Sequence, residues 1–298
     1  MATRPHIAVF TKNRTNAAYE AARLGADRTA ARLGAYTSHF VPQTADDVDQ
    51  QRALIDAALA ERPDAFVFVP VHETAVNDAV AKVNAAGIPL SNFINRLSAG
   101  NRITFVGSDD KSLAIGVARR LLEHLGGRGD IVIMEGTVGS VTSKARLEGF
   151  RQAVQQFPNV HVLAVRAGEY QHEPARRVMQ QWLGTYPHID GILCANDVMA
   201  LGAIEVMQAA GRMIPLVGVN ALPEAIVALK QGTLLATVDF DAMKMACIAT
   251  EAAIRHLRGA SVPREIILPV QIVDRSNCAS WDRPLEEREC PRWEDVVG

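Results

Sequence analysis

The stretch Cys194–Gly211, CANDVMALGAIEVMQAAG, begins in the last residues of the apolar run GILCA and decides how this chain must be built. GILCA is too short for a helix and Gly191 bounds it, so it reads as a strand buried on both faces. Past Asp197 the apolar residues Val198, Leu201, Ile204 and Val206 recur at helical rather than alternating spacing, so a helix starts at once. Asp197 is expected to cap that helix by accepting from its first free N–H groups. Asn196 is then left at the carboxyl end of a strand, where open α/β sheets bind their ligands. It is either a binding residue or a turn former.

Working outward, strand and helix patterns alternate from end to end. HIAVF precedes a helix over about 16–33, AYTSHF one over about 46–60 and AFVFV one ending near Ala86, and GIPLSNF is a fourth strand. After ITFVGSDD the pattern restarts. DIVIM, VHVLAV, GILCA, IPLVGV and LLATVDF each precede a helix, and EIILPVQIV is the last strand. Repeated βα units predict α/β architecture, with doubly wound parallel sheets, right-handed crossovers and helices on both faces. At 298 residues the chain exceeds ordinary single-domain size, so two lobes are expected, with a break near 107–110. No Gly/Pro/Ser-rich linker marks that break. Short strand-like crossings would join the lobes and act as a hinge, and a hinged pair of such lobes makes a cleft that closes on a small ligand.

Composition narrows the classes of function. A net charge of −2 offers no basic surplus for nucleic acid or an acidic membrane surface, so no nucleic-acid partner is expected. No run of about 18 apolar residues predicts a transmembrane helix. The start, MATRPHIAVF, enters a strand almost at once, without the charged and apolar segments of a secretory leader. Either the chain is cytoplasmic or a leader has been removed. Of the four cysteines, Cys194 and Cys247 fall in apolar patterns and read as buried, inert thiols. Cys278 and Cys290 fall in a polar tail with little core of its own. A disulfide between them, worth roughly 3 kcal/mol, would hold the tail as a loop and imply an oxidising compartment. The alternative is two free surface thiols.

IAVFTKNRTNAAYEAARLGADRTAARLG (7–34), AAGIPLSNFINR (85–96), FVGSDDKSLAIGVARRLL (105–122), SKARLEGFRQAV (143–154) and LVGVNALPEAIVALKQGTLLATV (216–238), together with the opening stretch, form an ordered set. In this order and spacing the chain resembles the sugar-binding periplasmic proteins of ABC importers. This is the ribose-binding-protein-like group, which shares its fold with the effector domains of lactose-repressor-type regulators. The resemblance covers about Pro5 to Val273. It implies a type I periplasmic-binding fold with three crossings between lobes: residues 1–107 plus 241–272 in one and 108–240 plus 273–298 in the other. It also implies a periplasmic location with the leader removed, a monomer, no cofactor, a small carbohydrate or polyol as ligand, and ABC permease subunits as membrane partners.

The resemblance assigns binding positions one at a time. Asn16 falls where the family uses a loop Asn after the first strand, and it could equally be an N-cap. The next aromatic positions of the ribose binders are Ala18 and Tyr19 here, so much of the stacking wall is missing. Asn95 and Arg96 stand where an Asp–Arg pair is usual, one residue out of register, and a solvated turn is the rival reading. Arg146, four before Phe150, matches a ligand-binding Arg, against an ordinary surface charge. Tyr170 matches an aromatic that covers a sugar face, against plain core. Asn196 and Asn220 match a binding Asn and a position that is usually Asp. Asp239 lies near a family Gln. Lys12 ends the first strand and faces either the cleft or water. Asn and Arg suit sugar hydroxyls because they offer planar arrays of donors and, for Asn, an acceptor. With Asn replacing Asp twice while Lys12, Arg96 and Arg146 remain, the cleft is expected to be cationic and to favour a polyol or a sugar acid.

No catalytic constellation is present. The chain lacks a phosphate loop of the G-x-x-x-x-G-K-[ST] type, a G-x-S-x-G elbow and an H-E-x-x-H pair. EGTVGSVTSKAR is a Gly/Ser turn without Walker spacing, and the scattered histidines show no metal-ligand spacing. An enzyme is therefore not expected. A repressor-type regulator would need a helix-turn-helix ahead of the first strand, where five residues stand. A binding protein feeding a chemoreceptor or sensor kinase would have the same cleft, and an α/β enzyme is the rival of another class.

Overall fold

The computed structural model describes residues 4–297, so the first three residues and Gly298, included in the expected lobes, lie outside the described residues. In chain order the strands are β1 (His6–Phe10), β2 (Tyr36–Phe40), β3 (Ala65–Phe68), β4 (Leu90–Phe93), β5 (Thr104–Gly107), β6 (Arg128–Glu135), β7 (Asn159–Ala167), β8 (Gly191–Cys194), β9 (Leu216–Val217), β10 (Ala236–Asp239), β11 (Glu265–Ile267) and β12 (Gln271–Asp274). The helices between them are α1 (Ala17–Arg32), α2 (Val48–Glu61), α3 (Asn77–Ala85), α4 (Asp110–His124), α5 (Val141–Val154), α6 (His172–Thr185), α7 (Asp197–Ala209), α8 (Pro223–Gln231) and α9 (Ala242–Leu257).

The chain divides into two compact units. Unit 1 runs to Ser108, resumes over Asp241–Leu268 and takes the tail from Leu285 onward, while unit 2 comprises Asp109–Phe240 and Pro269–Pro284. The chain thus crosses four times rather than three, and the tail expected in one lobe is shared by both. The extra crossing has two local causes. Pro269 has no N–H to continue a ladder, so the run EIILPVQIV splits into β11 in unit 1 and β12 in unit 2. Farther on, Arg28 of α1 donates to the carbonyls of Glu286 at 2.6 Å and Arg288 at 2.8 Å, which draws the last segment back to unit 1.

Both units repeat one topology. Unit 1 is a sheet of order β2-β1-β3-β4-β5-β11, parallel throughout. Unit 2 is β7-β6-β8-β9-β10-β12, parallel except for its last edge. There β12 runs antiparallel to β10, pairing Gln271 with Asp239 and Asp274 with Ala236, an edge that the parallel pattern of the sequence does not reveal. The chain reaches this edge at the carboxyl end of β10 and can only run back along it. Inner strands are buried on both faces as their apolar runs require: β1 and β3 in unit 1, and Ile131–Met134 with β8 in unit 2. Phe10 anchors the unit 1 core, its ring 4.9 Å from that of Phe40, 5.0 Å from Phe66 and 5.3 Å from Phe68.

Backbone strain gathers at one end of each sheet. Asp46, Ile94, Glu169, Tyr170, Asn220 and Ala221 all have positive φ without being glycine, and each follows the carboxyl end of a strand. Such conformations cost about 1–3 kcal/mol each and persist only where surrounding contacts impose them. Strand order reverses between β1 and β3 and between β6 and β8, so the same ends carry the switch points at which open sheets bind ligands.

Candidate functional site

In unit 1 the loop after β1 is organised by short polar side chains. Asn16 caps α1, its Oδ1 accepting from Ala18 N at 3.0 Å, and its own N–H donates to Asn13 Oδ1 at 3.0 Å. Lys12 is 2% exposed, with its Nζ 3.5 Å from Asp46 Oδ1. Tyr19 is buried in the first turn of α1. After β4, Asn92 holds the turn: its Nδ2 donates to Phe68 O at 3.0 Å and Asn95 O at 2.8 Å, and its Oδ1 accepts from Leu97 N at 3.0 Å. This clamp carries the strained Ile94, and Asn95 is buried with its Nδ2 on Pro70 O at 3.2 Å. Arg96 does not join the group. Its guanidinium pairs with Glu265 of β11 and lies 4.0 Å over the Phe105 ring. Asn13, Asp46 and Asn92 were not singled out in the sequence because each resembles a turn residue until its partners are known.

In unit 2 the centre is Arg146 on α5. It is 4% exposed, its Nε donates to Asp110 Oδ1 at 2.8 Å, and its Nη1 donates to Ala195 O at 2.7 Å. The rings of Tyr170 and Phe240 lie 5.8 and 5.5 Å from the guanidinium carbon. Burial pushes the Asp110 carboxyl above its usual range, while Arg146 opposes that rise. Asn196, not Asp197, caps α7: its backbone is extended and its Oδ1 accepts from Met199 N at 2.9 Å. Its Nδ2 reaches Tyr170 O at 3.2 Å. Asp197 is turned inward and fully buried, accepting from Leu222 N at 3.0 Å and Thr237 Oγ1 at 2.7 Å. Burial drives its pKa to about 6. Only glycine fits beside it, since a Cβ on Gly218 would lie 2.1 Å from Asp197 Oδ1.

Tyr170 spreads over Gly136, where a Cβ would lie 2.1 Å from its Cζ, and its hydroxyl is 3.2 Å from Thr142 Oγ1. Asp239 ends β10 and accepts from Trp281 Nε1 at 2.7 Å. Trp281 sits in a short helical turn, Cys278–Trp281, of a tail whose polar composition hid it from the sequence reading. Asn220, with φ at 127°, donates its N–H to Val238 O at 2.8 Å, while its Oδ1 is buried with no hydrogen-bond partner. Thr137 Oγ1, in the loop between β6 and α5, is likewise buried and unpartnered.

Two expectations are corrected here. The three cations expected to charge the cleft are matched: Lys12 faces Asp46, Arg146 faces Asp110, Arg96 is held by Glu265, and Asp197 and Asp239 add carboxyls, while Arg23 donates to Thr11 Oγ1 and Asn13 O after β1. Cys278 and Cys290 do not pair. All four thiols are free; Cys278 Sγ turns to Arg275 O within unit 2, and Cys290 packs in unit 1 with the returning tail. Among the described residues no group of three or more His, Cys, Asp or Glu side chains could hold a metal ion, and no helix is long and apolar enough to cross a membrane.

Twin sheets of one strand order, with amides, a guanidinium and aromatic rings at their strand ends, define a solute-binding class of α/β protein. The chain matches the family described as periplasmic binding protein domain over residues 7–261, and it belongs to that family. It is 30% identical over 194 residues to a xylitol-binding protein of Mycolicibacterium smegmatis, an alignment covering 64% of this chain and 56% of the relative. The matched part thus spans little more than half of that relative's length. A D-apiose import binding protein of Paraburkholderia graminis is 27% identical over 280 residues, 93% of this chain and 89% of its own. Among solved structures, an ABC transporter periplasmic solute binding protein from Actinobacillus succinogenes 130z with bound D-allose superposes with a TM-score of 0.88. It is 28% identical, and the match covers 93% of this chain and all of that one.

Proposed function

We propose that this chain is the solute-binding protein of an ABC importer and that its ligand is a small uncharged polyol or sugar. The observation that carries this reading is the buried, unpartnered Oδ1 of Asn220 on a strained backbone. An unmet buried acceptor costs about 1–3 kcal/mol, and a ligand hydroxyl would remove that cost. Thr137 Oγ1 adds a second unmet group in the same unit. Asn196, Arg146 and Tyr170 supply further donors and an apolar ring in unit 2, while Lys12, Asn16, Tyr19 and Asn95 stand at or just beyond the strand ends of unit 1, with Asn16 and Asn95 already bonded there. Asp239, through its bond to Trp281, orients a second aromatic surface.

Charge selects among ligand classes. A sugar carboxylate would meet cations already matched by Asp46 and Asp110, beside the further carboxyls of Asp197 and Asp239. Neutral hydroxyls avoid that repulsion, and the relatives named for xylitol, apiose and bound allose point the same way. Binding would favour whichever form of the protein has the higher affinity for the ligand, and the permease subunits then recognise that form. The protein acts by capture, as a monomer.

A thermal-shift screen across pentitols, hexitols, pentoses, hexoses and their acids tests the reading. A ligand at a hundredfold its Kd stabilises by about 2.7 kcal/mol, a clear rise in Tm. A rise with a neutral member is expected; a panel in which only acids act, or none does, overturns it.

A further inference from the structure

Cys247 and Cys290 lie together in unit 1, where the sequence pattern had separated them. Their sulfurs are 2.8 Å apart although the residues are 43 positions apart in the chain. A disulfide bond measures about 2.05 Å, so only a small further approach divides this contact from a covalent link. Both sulfurs also face one carbonyl, Gly25 O, at 3.5 and 3.7 Å. Gly25 permits this arrangement: a Cβ there would sit 2.9 Å from Cys247 Sγ and 2.7 Å from Met243 O, so α1 and α9 touch at this point.

The tail is fastened on either side of Cys290. Before it, Arg28 holds the carbonyls of Glu286 and Arg288. After it, Arg32 Nη2 reaches Pro291 O at 3.4 Å, and Arg255 pairs with Glu294 at 2.7 Å while lying 4.8 Å over the buried Trp293 ring. These contacts hold the two sulfurs in register. Cys194 and Cys278 belong to unit 2 and are not competitors.

We propose that Cys247 and Cys290 form a disulfide that staples the C-terminal segment to α9. The chemistry suits thiol–disulfide exchange. Cys290 is the more accessible of the two, and the hydrogen bond from Cys247, with Arg28 and Arg32 nearby, lowers its thiol below the usual range, so it is the attacking thiolate. The bond to Cys290 and burial raise Cys247, which resolves the intermediate. The Cys290 thiolate attacks one sulfur of an external disulfide, such as glutathione disulfide, and expels the other sulfur as a thiolate. Cys247 then loses its proton and attacks the Cys290 sulfur, expelling the second external thiolate. Two protein thiols become one disulfide, and the external disulfide accepts two electrons and two protons to become two thiols. A periplasmic location, as the family's name implies, is oxidising enough to keep such a bond.

The test is alkylation of the full chain, incubated with glutathione disulfide and then denatured without reductant. The expected result is a mass two hydrogens below that of the reduced chain before alkylation, two modified cysteines, Cys194 and Cys278, after it, and a cross-linked peptide joining Cys247 to Cys290. Cys290→Ser, a change in the tail rather than the core, should leave three modified cysteines. Cys278→Ser should keep the cross-link and leave Cys194 alone modified. Four modified cysteines in the oxidised wild type, or a cross-link between Cys278 and Cys290, would overturn the proposal.

Discussion

Units 1 and 2 share one strand order but finish the carboxyl ends of their strands differently. In unit 1 the amides are occupied by the loops themselves: Asn16 caps a helix, Asn13 holds Asn16, and Asn92 closes a turn through three hydrogen bonds. Its unpartnered buried hydroxyls, Thr29, Ser91, Thr104 and Thr250, lie in helices or strands, and none follows the carboxyl end of a strand. In unit 2 the loops leave groups unmet, Asn220 Oδ1 and Thr137 Oγ1, and bury carboxyls at Asp110 and Asp197. One half is a rim completed during folding; the other stores unfavourable terms that a ligand can relieve. Repeating a topology thus fixes where chemistry is placed, while the loops decide whether it is already spent.

The sharpest way to break this contrast is Arg146→Ala. It strands the buried Asp110 carboxyl, and removing one partner of a buried pair costs about 3–5 kcal/mol. Urea unfolding should show that loss, with ligand binding lost alongside; a change under about 1 kcal/mol would mean that Asp110 is hydrated and unit 2 stores little. Next comes pH. Asp197 is raised from 3.8 to about 6 on folding, so the folded chain holds a proton that the unfolded chain has released. Its contribution to stability is greatest below pH 3.8 and falls as pH rises to about 6, by up to about 3 kcal/mol. Asp197→Asn should remove this segment of the pH–stability curve, and an unchanged curve would contradict the assignment.

Asn220→Gly sets the two effects against each other. Glycine accepts the φ of 127° without strain and deletes the orphan oxygen. Stability should rise by about 1 kcal/mol while affinity falls about tenfold; loss of both would make Asn220 a structural residue. The smallest effect is expected from Arg96→Ala. Its ion pair with Glu265 is exposed, and such pairs contribute about 0–1 kcal/mol. Affinity measured by calorimetry should stay within about twofold, and a large loss would return Arg96 to the binding group.

Much of this frame is legible in the sequence because burial on two faces leaves unbroken apolar runs and helices leave a wider period. Runs such as AFVF and GILC could not be anything but inner strands. What escaped depends on single dihedrals or distant partners. Whether Asn196 or Asp197 caps α7 turns on which residue has the extended backbone, and periodicity does not encode that. Arg146 stood out, but its carboxylate partner lies 36 residues away in sequence, so the pair's neutrality was invisible and the strand ends looked cationic. The Arg96 pair with Glu265 was equally invisible, because its partner stands on β11 far along the chain. The cysteines failed for a related reason: Cys290 goes where Arg28, Arg32 and Arg255 take the tail, not where chain proximity to Cys278 suggests.

The most direct test of the account is calorimetric titration of the wild-type protein with matched pairs, each neutral polyol or aldose beside its aldonic acid, at one ionic strength. Saturable binding of a neutral member is expected, with at least about tenfold weaker binding of its acid, since Lys12 and Arg146 are already matched by Asp46 and Asp110. Tighter binding of the acid would contradict it.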